Sequence, residues 1–93
     1  MLHKFLIHHK SDDVGVVTTP IKEGEKVKGV CMEDDSEVNL QANHDIPLGH
    51  KISLKDFEKN HSVIEYSIQI GKTITSWKKG DYVHTHNIKT ARW

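Results

Sequence analysis

One cysteine, a formal net charge of zero and no long apolar run set the first limits on this chain. The lone Cys31 cannot close an internal disulfide, and a reducing compartment is the simpler setting. Lysine and arginine total 13, and so do aspartate and glutamate. That balance argues against nucleic acid as the main partner, because duplex binding draws its affinity from neutralised phosphates. It also removes strong long-range steering. No apolar stretch approaches the roughly 20 residues needed to span a bilayer, so no membrane role is expected. The opening Met1–Ile7 stops being apolar at His8 and offers no signal-peptide core, which leaves the cytoplasm as the expected location. There is no linker, no low-complexity tract and no window with a sustained helical apolar period. What is present is 93 residues with 35% apolar and 28% charged content, which fits one small globular domain over residues 1–93 with a thin core.

A seven-residue pattern recurs four times. Ile21–Val27, Ile46–Ile52 and Trp77–Val83 each place an apolar residue, a glycine three later and an apolar residue three beyond that. Phe57–Val63 repeats the plan with Asn60 in the glycine position. Asparagine is the residue best able to replace glycine where φ is positive. The pattern predicts a tight turn that buries an anchor, reverses the chain and launches a strand, with its first half forming a short helical turn.

The segments between these turns read as strands: 5–8, 14–17, 26–30, 37–42, 51–54 and 82–85, with 62–76 as two strands broken near Gly71. A mostly β domain with a coiled, strongly bent sheet follows. Another small barrel, SH3-like or OB-like, is the competing fold. The acidic run Glu33–Glu37 reads as a solvated hairpin tip, because its carboxylates are not spaced like a calcium loop.

Histidine carries the candidate chemistry. In the run Tyr82-Val83-His84-Thr85-His86-Asn87, an extended strand would put His84 and His86 on one face, a pairing suited to a transition metal or an anionic substrate. Asn87 adds an amide that can hold a substrate carbonyl or hydroxyl. His50 follows a reversing glycine and has a fixed direction. His44 has the weaker case, and His9 is the better candidate of the His8–His9 pair. His3 and His61 read as surface residues and Cys31 as a core residue. Lys89 and Arg92 are the cations placed to meet a carboxylate or sulfonate, arginine by a bidentate pair.

Three segments together carry a resemblance: His9–Val16, Asp45–Lys51 and Gly80–Asn87. They resemble the small subunit, or N-terminal domain, of the altronate and galactarate dehydratase family, over essentially the whole chain. The ending Asn87–Trp93 looks most like the sulfolactate sulfo-lyase alpha group within it. The resemblance implies a SAF-type β-clip fold and a lyase that removes sulfite or water from a small anionic hydroxy acid. It implies a divalent metal, Fe2+ or Mn2+, and a large catalytic subunit as partner. His50, His9 and the His84–Asn87 run align with the family's motif positions. His50 and His86 are the expected catalytic residues, His9, His84 and His86 the expected metal ligands, and Asn87, Lys89 and Arg92 the expected substrate contacts. Ser67 stands where the family usually has glycine, and Gln69 where it often has proline, which bears on substrate identity more than on fold. Altronate dehydratase is the second form considered, and a non-catalytic carbohydrate- or protein-binding module the third. Self-association of the isolated chain is also open.

Overall fold

The computed structural model describes residues 3–66, 68–84 and 86–90. Nine strands run through them: β1 (Phe5–Ile7), β2 (Val14–Val17), β3 (Lys26–Cys31), β4 (Glu37–Gln41), β5 (Lys51–Ser53), β6 (Ser62–Glu65), β7 (Ile68–Thr73), β8 (Tyr82–Val83) and β9 (Ile88–Thr90). Six form a sheet in the order β4-β3-β1-β2-β5-β8, and three form a second in the order β6-β7-β9. β1 pairs with β3 in parallel, Phe5 opposite Gly29, while the other ladders are antiparallel.

Strand alternation builds two cores. β3 buries Val27, Gly29 and Cys31 and leaves the residues between them more exposed. Val27 and Cys31 join Phe5, Ile7, Val17, Ile21, Leu40, Ile46 and Ile52 in the larger cluster. Val14, Val63, Trp77 and Val83 form the smaller one, between the two sheets. Asp13 ties the sheets together: its carboxylate accepts from the backbone N–H of Ile64 at 2.8 Å and pairs with Lys55 at 2.9 Å. No helix among the described residues is long and apolar enough to cross a membrane.

The four repeats are reverse turns, and the expected short helical turns are absent; the described residues contain no helix at all. The reason lies in the third residue of each turn. Gly24, Gly49 and Gly80 have φ of 83°, 84° and 94°, and Asn60 has 67°. A left-handed residue there reverses the chain after one i→i+3 bond, as in a type II turn, so no second helical bond can follow. Those single bonds run from Glu25 to Lys22 at 3.0 Å, His50 to Pro47 at 3.2 Å and Asp81 to Lys78 at 3.0 Å.

The turns work in pairs. Anchors Ile21 and Ile46 exchange two backbone bonds, and so do Phe57 and Trp77. In each pair the aspartate before one anchor accepts from the backbone N–H two residues after the other. Asp45 takes Glu23 N–H at 2.8 Å, and Asp56 takes Lys79 N–H at 2.7 Å. The domain is thus two similar clasps joined by strands.

Several strand ends shift by a residue, and the larger departures from the sequence reading fall after β5. The hairpin between β6 and β7 turns at Tyr66, with Glu65 opposite Ile68, and Gly71 lies inside β7. Gly71 is glycine because a Cβ there would stand 2.2 Å from the carbonyl oxygen of Lys89. β8 ends at Val83, and β9 is a further strand in what read as a tail. The acidic run forms the exposed β3–β4 hairpin tip, as expected, with Asp35 left-handed at φ 60°.

Candidate active face around Tyr82

Gly49 turns the chain so that His50 enters β5 with both backbone groups held. Its carbonyl accepts from Val17 N–H at 2.8 Å, and its N–H donates to Pro47. β8 then lies alongside β5, with Tyr82 opposite Ile52. This register brings the Tyr82 hydroxyl within 2.7 Å of His50 Nδ1. His84 lies over the phenol with nearly parallel planes, 5.6 Å between centroids, and 5.2 Å from the His50 ring. His86 approaches the same phenol edge-on at 5.7 Å. His44 completes the group: its Nδ1 accepts the Tyr82 backbone N–H at 3.2 Å and lies 4.0 Å from Asp81.

The structure therefore brings His50, His84 and His86 together, but by a turn rather than by strand period. Thr85 lies outside the described residues. Asn87 N–H and Ile88 N–H both donate to the His84 carbonyl, at 3.0 and 3.2 Å. The Asn87 side chain closes the turn: Oδ1 accepts His84 N–H at 3.0 Å, and Nδ2 donates to the Tyr82 carbonyl at 2.7 Å. Asn87 is buried, and its own carbonyl accepts from Trp77 Nε1 at 2.9 Å. The fourth turn's anchor thus fixes Asn87, which fixes His84 and Tyr82. The Asn87 amide is engaged inside the fold rather than held out to a ligand.

The other candidates lie elsewhere. His9 sits on the loop before β2, with its ring 3.6 Å from Glu33, while His50 pairs at the far end of the same strand, beside Val17. Lys89 is exposed on β9 opposite Lys72. Arg92, like Ser67 and Trp93, lies outside the described residues. Cys31 is a buried core residue, as expected. Among the described residues no three His, Cys, Asp or Glu side chains converge in a way that could hold a metal ion. Sequence reasoning missed Tyr82 as the hub. Its place two residues before His84 in a predicted strand was the available signal.

Chemically, the face offers exposed imidazoles beside a half-buried phenol–imidazole pair. With Nδ1 donating to the Tyr82 oxygen, His50 Nε2 carries a lone pair and can accept a proton. In the other tautomer the phenol donates and Nε2 is a donor.

The motif resemblance holds over the chain. Residues 3–91 match the altronate/galactarate dehydratase SAF domain, and the protein belongs to that family. It is 37% identical over 90 residues to the (2R)-sulfolactate sulfo-lyase subunit alpha of Chromohalobacter salexigens, covering 96% of both chains. Against the subunit of the same name from Paracoccus pantotrophus it is 45% identical over 64 residues, 69% of this chain and 96% of that one. Against the altronate dehydratase of Bacillus subtilis it is 30% identical over 89 residues, 96% of this chain and 17% of that enzyme. The chain thus matches one alpha subunit over nearly its whole length, another over about two thirds of its own, and a small part of a larger dehydratase.

Proposed function

We propose that this chain is the small subunit of a cytoplasmic two-subunit lyase that eliminates sulfite from a sulfonated hydroxy acid. The carrying observation is the open Tyr82–His50–His84–His86 face on a chain that matches a sulfolactate sulfo-lyase alpha subunit over 96% of both lengths. Removal of water from a sugar acid is the second reading, supported by the likeness to altronate dehydratase.

The chemistry sets the demands. A base takes the proton from the carbon that bears the hydroxyl and the carboxylate. The electron pair forms a carbon–carbon double bond as sulfite leaves the neighbouring carbon, and the resulting enol takes back a proton to give a keto acid. The base must titrate near neutral pH, and cationic or hydrogen-bonding groups must hold the carboxylate as charge develops. His50, oriented by Tyr82, is assigned the base, and exposed His86 the return of the proton. Lys89 and Arg92 are assigned to the substrate anion and Asn87 to positioning His84 and Tyr82.

The described side chains of this subunit do not fit a complete metal centre. A divalent ion, Fe2+ or Mn2+, is therefore assigned to the large subunit, with His84 and His86 as the groups this chain can turn toward it. His9, against Glu33 at the far end of β2, is left out of the centre. The purified chain should bind less than one equivalent of either metal, read by elemental analysis after dialysis.

The decisive experiment combines the chain with the large subunit of the Chromohalobacter salexigens enzyme. Sulfite release from 3-sulfolactate and dehydration of D-altronate are then assayed side by side. Sulfite release supports the first reading and dehydration the second. Loss of at least roughly tenfold in turnover on His50→Ala and His86→Ala, with His61→Ala unchanged, places the chemistry on this face. Activity retained in both variants makes the chain a scaffold for its partner, and activity on neither substrate rejects the lyase role.

A further inference from the structure

β6 carries an unexpected residue inward. Val63 is fully buried in the smaller core, and Glu65, on the same strand face, is only 5% exposed. Its Oε1 lies 3.7 Å from Lys51 Nζ, too far for a proper hydrogen bond. Its Oε2 is buried with no hydrogen-bond partner among the described residues. Such an oxygen costs its full desolvation unless a donor reaches it. The Lys51 side chain is 37% exposed, so its ammonium has donors to spare. Burial pushes the Glu65 carboxyl up, Lys51 and His8 pull it down, and Asp12 adds to the rise.

A second oddity adjoins the first. Tyr66, at the tip of the β6–β7 hairpin, has φ of 55°, a left-handed conformation that a bulky residue rarely adopts. Its ring is half-exposed and stacks on His8 at 3.9 Å with planes 20° apart. Strain of this kind persists where the surroundings hold it and is a reason to look for a ligand. Here it stands an aromatic pair beside the buried carboxyl and its lysine.

We propose that Glu65 and Lys51 form a binding site for a 2-hydroxy carboxylate, Lys51 Nζ taking the carboxylate and Glu65 Oε2 taking the hydroxyl hydrogen. A simple anion would satisfy Lys51 and leave Oε2 without a donor. A simple cation would satisfy Oε2 and face the Lys51 ammonium. A hydroxyl and a carboxylate on one carbon satisfy both. The site is separate from the Tyr82 face, because Lys51 and Ile52 point to opposite sides of β5 and Tyr82 pairs with Ile52. It goes beyond the lyase assignment and rests on it only for the choice of probe.

The test titrates the purified chain with 3-sulfolactate and with 3-sulfopropanoate, which keeps both anions and lacks the hydroxyl. Carbon-detected NMR follows the Glu65 carboxyl and the Lys51 ε-carbon. Saturable shifts of both signals are expected, with 3-sulfopropanoate weaker by roughly tenfold or more. Glu65→Met, an apolar residue of similar length, should bring the two ligands level. Lys51→Met, at a half-exposed site, should weaken both, with the spectrum of the variant first confirming that it is folded. No saturable shift, equal affinities in the native chain, or a gap that survives Glu65→Met would overturn the site. An inactive reconstituted enzyme would reject the lyase role while leaving this titration to stand on its own.

Discussion

The Tyr82 hydroxyl and His50 Nδ1, 32 residues apart in the chain, share a 2.7 Å hydrogen bond that spans the β5–β8 ladder. That bond holds the ring and couples the imidazole tautomer to the direction of the phenol hydroxyl: Nε2 accepts when Nδ1 donates and donates when Nδ1 accepts. Tyr82→Phe keeps the ring that packs on the core and on His84 but deletes the bond. A stability loss of about 0.5–1.5 kcal/mol is expected. In the reconstituted enzyme, turnover should fall and its pH profile should move, because His50 loses the partner that orients its ring and is coupled to its tautomer. Histidine ring nitrogen shifts in labelled protein read the tautomer directly. An unchanged His50 spectrum in the variant would contradict the role of Tyr82.

Asn87 holds the same face from behind. Its Oδ1 and Nδ2 each make a bond inside the fold, and the residue is buried. Asn87→Ala leaves the His84 N–H and the Tyr82 carbonyl unpaired, a cost of about 2–3 kcal/mol. In a domain this size each kcal/mol lowers the melting temperature by roughly 4–8 °C. Asn87→Asp keeps the acceptor and loses the donor, so it should melt between the two. A melt of Asn87→Ala that matches the native chain would show that the turn does not depend on it.

The turn positions make a graded set. At Gly49 a Cβ would meet nothing within 4 Å, so Gly49→Ala should cost only the left-handed penalty of about 1–2 kcal/mol. At Gly80 a Cβ would stand 2.1 Å from the Gln41 carbonyl oxygen, so Gly80→Ala adds a backbone clash to the same penalty. The order of melting temperatures should be native, Gly49→Ala, then Gly80→Ala. Asn60→Gly, already left-handed at 67°, should be neutral within about 0.5 kcal/mol. Chemical denaturation of the three variants checks the order.

These turns were legible because positive φ is written into residue type: only glycine and asparagine occupy the reversing position, and the anchors three residues earlier mark each turn. Which anchors pair was not legible, since Ile21 with Ile46 and Phe57 with Trp77 meet only in the folded sheet. Gly71 misled for an instructive reason. A glycine inside a strand reads as a break, yet here it admits the backbone of β9, and the true turn passes through Tyr66, whose type disfavours the conformation it holds. The His84–Asn87 segment alternates like a strand, and its histidines do come together, but through a turn closed by Asn87. The helical content expected within the repeats failed because one left-handed residue is enough to stop a second helical bond. The inward turn of Glu65 was invisible, since a glutamate on an alternating strand ordinarily faces water.

That inward glutamate gives the domain a measurable dependence on pH. Burial raises the Glu65 carboxyl above its ordinary value of 4.5, and the Lys51 charge only partly opposes this. Between the ordinary value and the raised one, the native state holds a proton that the unfolded chain has released. Stability from this group is therefore fully present below the unfolded value and is lost as pH rises through the folded one. Glu25 and Asp34 act in the opposite sense. Their carboxyls are held low, Glu25 by Lys4 and the Lys22 N–H, Asp34 by Ser36 and Lys10, so their contributions are lost as pH falls. Glu65→Gln removes the first dependence and leaves the others. Urea midpoints for native and variant chains, measured from about pH 4 to pH 7, should give a difference that shifts in favour of the variant as pH rises. The groups facing Glu65 are Lys51 from β5 and His8 and Asp12 from the β1–β2 region, and none of them changes in the variant. A difference that stays constant across the range would mean that Glu65 titrates as it does in the unfolded chain, and that its buried oxygen finds a proton donor in the free protein.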